Sequence, residues 1–186
     1  MTKVGLCGTL IASLGTLISL GSVEPSSGAG VDRVCLIRVS RGPLVSPSTQ
    51  ELAFTLKLTN TDSVACSIDG YATVRFEGTN AAMLPFVYRQ RPNGAFAFTA
   101  AAPTRFVLKS FASAYVLVAK EACVGPDGRS AVTATVLAPS LQAGTLAWVL
   151  QLSGDYPRIF VCTGPDAAAN NIVAVSPVEP SVKDLY

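Results

Sequence analysis

The side chains that could carry chemistry in this chain are carboxylates, arginines set among aromatics, and cysteines; histidine is absent. Without an imidazole there is no ordinary Ser-His-Asp or Cys-His nucleophile pair and no His-containing zinc site. Acid–base work would then fall to a pair of carboxylates, as in glycoside hydrolysis. The candidates are Asp62, Asp69, Glu77, Glu121, Asp127 and Asp155. Most stand in or beside turn-like sequence, where an Asp hydrogen-bonds its own backbone, and turn chemistry accounts for them. They lack the D-x-D spacing of an oxygen-ligated calcium loop. The chain has no Gly-x-Ser-x-Gly elbow, no Ser-x-x-Lys dyad and no phosphate-binding glycine loop. The expectation is therefore a protein that is not an enzyme and takes no cofactor and no metal, with a carboxylate-pair hydrolase as the alternative.

Residues 83–98 hold the best candidate for binding. Met83, Phe86, Tyr88, Phe96 and Phe98 surround a Pro92-Asn93-Gly94 turn, with Arg89 and Arg91 beside it. The pattern predicts a hairpin of residues 86–90 and 95–99. Aromatics and arginines are the preferred anchors of binding surfaces, so Tyr88, Arg89 and Arg91 at its tip form a candidate partner site. The competing reading is an ordinary pair of sandwich strands with their aromatics inside. Trp148 reads as a core residue near a disulfide and Tyr71 as a turn-anchoring tyrosine.

Cys7 lies inside an apolar run, which leaves Cys35, Cys66, Cys123 and Cys162. An even number in an exported chain, with no C-x-x-C spacing, reads as disulfides. If residues 34–39 and 51–60 form a hairpin, the start of the first lies beside the end of the second. Cys35 then meets Cys66, and Cys123 pairs with Cys162 at another pair of strand ends. A structural role explains these cysteines without a reactive thiol.

The elements that must hold these residues read as short strands. In residues 51–60, Leu52, Phe54, Leu56 and Leu58 alternate with smaller or polar residues, a period of two that puts the large side chains on one sheet face. Residues 72–77 repeat this with Val74 and Phe76 inward and Thr73, Arg75 and Glu77 outward. Residues 34–39, 114–119, 131–137, 145–152, 158–162 and 172–175 are further strand candidates. Asp69-Gly70, Pro126-Asp127-Gly128 and Pro92-Asn93-Gly94 are turn signals between them. Eight or nine such strands suggest a sandwich of two antiparallel sheets.

At the N-terminus, Lys3 precedes an uncharged stretch over residues 4–20, followed by small residues. This is the layout of a secretory signal peptide, with cleavage after Ala29 or near Gly21; an uncleaved anchor is the alternative. The division is a signal peptide over 1–29, a linker over 30–33, a sandwich domain over 34–178 and a frayed tail over 179–186. A net charge of +2 without any Lys/Arg run gives no footprint for nucleic acid. The membrane enters only through an uncleaved N-terminal segment.

The stretch Leu58-Thr59-Asn60-Thr61-Asp62-Ser63-Val64-Ala65-Cys66-Ser67-Ile68-Asp69-Gly70-Tyr71 resembles an "LTNT…C.L.GYP" signature of a secreted actinobacterial domain family of unknown function. Cys35, Cys123 and Cys162 fall where that pattern places its other cysteines, and the resemblance spans roughly residues 34–178. It implies an exported immunoglobulin-like β-sandwich, often attached to or released from a mycobacterial-type envelope, and it carries no assigned chemistry. Ala72 stands where the signature has Pro, no lipobox cysteine is present, and Lys109-Ser110-Phe111 replaces a Pro-Gly turn. The combined expectation is a secreted or envelope-associated, non-catalytic module that binds an envelope component or a protein. A passive membrane-anchored envelope protein is the remaining alternative.

Overall fold

The computed structural model of the protein describes residues 33–44, 51–90, 103–139, 147–154 and 156–185. The leader, most of the linker, the Pro92-Asn93-Gly94 tip and the 95–99 run lie outside the described residues, as does Arg91. Among the described residues no helix is long and apolar enough to cross a membrane.

The alternating pattern forms the central strand. β2 (Glu51–Asn60) pairs antiparallel with β1 (Ile37–Arg41), Ile37 opposite Asn60, and on its other side with β7 (Ser113–Glu121), from Glu51 opposite Glu121 to Thr59 opposite Ser113. β12 (Ile172–Val175) follows β7, and β5 (Val87–Arg89) closes this five-stranded sheet. A three-stranded sheet is built from β10 (Trp148–Gln151), β9 (Thr133–Leu137) and β4 (Thr73–Glu77). Two ribbons complete the fold: β3 (Cys66–Ile68) with β6 (Phe106–Leu108), and β8 (Pro126–Ser130) with β11 (Phe160–Cys162). The only helices among the described residues are α1 (Ala167–Asn170) and a 3-10 turn (Val182–Leu185).

One core lies between the sheets. Phe54, Leu56 and Leu58 of β2 and Val116 and Val118 of β7 face Val74 and Phe76 of β4 and Val136 of β9, all buried. Phe76 sits edge-on to both Phe54 and Phe86, with ring centroids 6.3 and 5.8 Å apart. Apolar burial of this kind is the main drive for the fold. Trp148 packs against the core and donates from Nε1 to the Ile37 carbonyl at 2.9 Å, joining β10 to β1. The two disulfides are Cys35–Cys66, which the hairpin geometry favours, and Cys123–Cys162, the remaining pair, as expected.

Three local expectations differ. Pro126-Asp127-Gly128 does not turn the chain: it lies within β8, and the chain bends just before it, at Val124-Gly125. Proline is tolerated at the first residue of an outer strand. Gly128 at φ +83° then makes a bulge, because Pro126 and Ser130 oppose Cys162 and Phe160, two residues apart on the partner strand. Second, the sheet is not wholly antiparallel, since β5 runs parallel to β12 with Tyr88 opposite Val173. Third, the C-terminal end docks rather than frays. Tyr115 and Glu179 exchange backbone hydrogen bonds at 2.8 and 2.9 Å, and Val178 and Leu185 are fully buried. The apolar spacing of the tail lets its 3-10 turn pack on β7.

The Lys109-Ser110-Phe111 turn supplies a test of local strain. Phe111 has φ +57° and its ring is 69% exposed. Left-handed backbone costs an L-residue roughly 1 kcal/mol, a cost that glycine escapes. Phe111→Gly is expected to leave the fold intact and raise stability by about 0.5–1 kcal/mol, read from the urea midpoint.

Candidate binding groove

β4 and β5 are outer strands of the two different sheets, and the candidate site lies where these edges meet. The period of two in β5 exposes Val87 and Arg89 and turns Tyr88 inward, where it is half-buried. Tyr88 bridges the two sheets. Its ring tilts against Phe76 with centroids 6.3 Å apart, and its hydroxyl accepts the Phe76 N–H at 2.8 Å. Burial pushes the Tyr88 phenol above its usual pKa, with the Phe76 hydrogen bond and the nearby Arg75 charge pulling the other way. The phenol therefore stays neutral at physiological pH.

Phe76 also accepts the Leu84 N–H at 3.0 Å, so both of its backbone groups point off the free edge of β4. Strand alternation sends those of Val74, two residues earlier, the same way. They open onto a groove of about 190 Å³, lined by Val74, Val175 and Tyr88, with Arg75, Arg89 and Gln90 on its rim. Arg75 and Arg89 are exposed, and neither forms an ion pair among the described residues. Two exposed guanidiniums without an ion pair among the described residues, and an amide, above an apolar floor suit an anionic group carried on a small apolar or planar body.

Of the predicted trio, the structure thus places Tyr88 and Arg89 at this groove, while Arg91 lies outside the described residues. Sequence reading placed Arg75 only as an outward strand residue; nothing local signals that β4 and β5 become neighbours. A second cleft of about 250 Å³, bordered by Asn80, Leu84 and Gly128, has Arg129 as its cation. That guanidinium is already held by Asp127, Nε to Oδ2 at 2.6 Å.

Of the candidate carboxylates, Asp62, Glu77 and Asp127 have partners of their own, while burial and then the Asp184 charge raise the Glu179 carboxyl above its usual pKa. Asp62 pairs with Arg33 at 2.7 Å, and Glu77 accepts from Thr133 and Thr135 at 3.3 and 3.1 Å. The Arg129 contact holds the Asp127 carboxyl below its usual pKa. Asp155 lies outside the described residues. Among the described residues no three Cys, Asp or Glu side chains converge as metal ligands would.

Lys120 is the residue that sequence reading passed over. It ends the inward-facing row Val116, Val118 on β7 and is 1% exposed. Its Nζ donates to the Glu121 carbonyl at 2.8 Å and lies 3.0 Å from Cys162 Sγ, 3.6 Å from Cys123 Sγ and 5.9 Å from the Phe86 ring centre. Burial lowers its pKa to about 8, with the Glu121 charge opposing the shift. The only hint in the sequence is a lone cation inside the run 114–120.

Architecture and staples define the class: an all-β sandwich closed by two disulfides, with a groove between sheet edges. Residues 38–172 match a family model described as Domain of unknown function (DUF4232), and the chain belongs to that family. No curated protein and no solved structure matches it.

Proposed function

We propose that this chain is an exported, non-catalytic module that binds an anionic group of an envelope component or extracellular protein in the groove between β4 and β5. One observation carries the reading: Arg75 and Arg89, on different sheets, flank the same apolar groove without a carboxylate partner among the described residues. Exposed charges without partners are free to meet a ligand, and a guanidinium matches carboxylate or phosphate geometry. Two disulfides support an oxidising compartment outside the cytoplasm. Asp62, Glu77 and Asp127 are already engaged by Arg33, by Thr133 and Thr135, and by Arg129, which favours binding over hydrolysis.

N-acetylglycine and inorganic phosphate, titrated separately while backbone amide shifts are followed, test the groove and distinguish carboxylate from phosphate preference. The amides of Val74 and Gln90 are expected to shift saturably with one of the probes. Arg75→Ala with Arg89→Ala should weaken that binding by about tenfold or more, since each charge-assisted hydrogen bond contributes about 1.5–3 kcal/mol. Shifts that are absent, or unchanged in the double variant, would sink the assignment.

A further inference from the structure

The two disulfides have unlike surroundings. In Cys35–Cys66 both residues are buried, at 3% and 1% exposure, and the polar neighbours of their sulfurs are the Ser67 and Leu108 carbonyls. In Cys123–Cys162 the two ends differ. Cys162 is buried, whereas Cys123 is half-buried and adjoins Val124, which is 97% exposed at the bend before β8. Against the buried end stands the Lys120 ammonium, nearer to Cys162 Sγ than to Cys123 Sγ by 3.0 against 3.6 Å.

An ammonium gains little from a neutral disulfide, because sulfur there is a weak acceptor. It would gain much from a thiolate. A cation beside a cysteine lowers its thiol pKa, and a disulfide opens faster when the departing sulfur is the better thiolate. The more exposed cysteine, Cys123, with its sulfur 3.5 Å from the Phe160 carbonyl, and the better leaving sulfur, on Cys162, are therefore different residues, and both are fixed by the fold. The Phe86 ring, the Glu121 carbonyl and the two sulfurs surround the ammonium, and among the described residues Glu121 is the charged group that acts on it. Because its pKa is lowered to about 8 and no further, the ammonium is largely retained near neutrality.

We propose that Cys123–Cys162 is a thiol-exchange site for small thiols, with Cys123 as the attacked sulfur and Cys162 as the leaving group. A small-molecule thiolate forms a bond to Cys123 Sγ. The Cys123–Cys162 bond breaks, and its electron pair leaves on Cys162 Sγ as a thiolate facing the Lys120 ammonium. The product is a mixed disulfide on Cys123. A second thiol releases Cys123 and completes the reduction, with the small thiol leaving as its own disulfide; return attack by Cys162 instead restores the bridge. Opening removes the covalent link between Cys123, just after β7, and Cys162 of β11, while the β8–β11 pairing, Cys35–Cys66 and the core remain. The small thiol is thus the ligand class of this site, which is independent of the anion groove.

Limited reaction of the intact protein with glutathione, quenched by N-ethylmaleimide and mapped by peptide mass, reads the site directly. The expected product carries glutathione on Cys123 and the maleimide on Cys162, with Cys35–Cys66 still closed. Lys120→Met should slow this exchange roughly tenfold and Lys120→Arg should largely preserve it. Glutathione on Cys162, simultaneous opening of both bridges, or an unchanged rate in Lys120→Met would each overturn the proposal. The position of the adduct is decided on the unaltered chain, so that result does not depend on how the variants fold.

Discussion

Replacing Cys35 and Cys66 together by alanine is expected to lower stability by about 4 kcal/mol, read as a fall in the urea midpoint. The bridge spans 31 residues of sequence and Cys123–Cys162 spans 39. Because chain entropy grows only with the logarithm of loop length, the two bridges restrict the unfolded chain almost equally, each by about 4 kcal/mol. A domain of this size has a typical net stability of about 5–15 kcal/mol, so losing one bridge removes a large part of it. The Cys35–Cys66 pair is the cleaner test, since no charge is buried against its sulfurs. Its removal also leaves a small void beside Leu108, which adds to the loss. A midpoint shift equivalent to less than about 1 kcal/mol would mean that the unfolded chain is already held compact around β1–β2 without the bond.

The same bridge shows which parts of the fold were legible from local pattern. β2 could be read because its apolar residues keep a strict period of two, and its pairing with β1 followed from proximity in the chain. Cys35–Cys66 followed from those strand ends, and Cys123–Cys162 was the pair that remained. Tyr88 was legible as a strand residue but its neighbours were not: β5 takes its partner from β12, more than eighty positions later in the chain, and no local signal records a parallel pairing of that range. The groove inherits this opacity. Arg75 looks like any solvent-facing strand residue until β4 is set beside β5, and only then does it share a rim with Arg89. Pro126-Asp127-Gly128 misled for the opposite reason. Its local chemistry was read correctly, since Gly128 does adopt a positive φ and Asp127 accepts the Arg129 N–H at 2.8 Å. The ribbon with β11 turned that chemistry into a bulge. The tail misled because Leu185 alone is too little to look like a core segment, yet it is fully buried and its 3-10 turn packs on β7.

Lys120→Met is expected to stabilise the protein by about 2–3 kcal/mol at pH 7 and to remove a pH dependence that the native chain shows. The folded pKa of about 8 lies below the usual lysine value of 10.5. Between those values the unfolded chain binds a proton that the folded chain does not, so folding stability rises with pH across this window. Below about pH 8 both states are protonated and the whole cost of burying the ammonium is present; above 10.5 it is gone. Tyr88 and Tyr156 act in the other direction, because burial raises both phenols above 10.0 and their contribution falls as the unfolded tyrosines ionise. The clean window is therefore pH 8 to 10. Urea unfolding across it should give a rising midpoint for the native chain and a flat one for Lys120→Met, with the two curves converging at the alkaline end. Methionine keeps the length and flexibility of the side chain, so it fills the same space between Phe86 and the sulfurs without the charge. Parallel curves for the two proteins would show that water reaches the ammonium in solution and that its burial costs nothing. A converging pair would mean that the fold carries a destabilising charge whose nearest heavy side-chain atom beyond its own is Cys162 Sγ. In the exchange proposed for Cys123–Cys162, the same ammonium that weakens the folded state would stabilise the Cys162 thiolate of the opened one, so Lys120→Met should remove the stability cost and slow the exchange together.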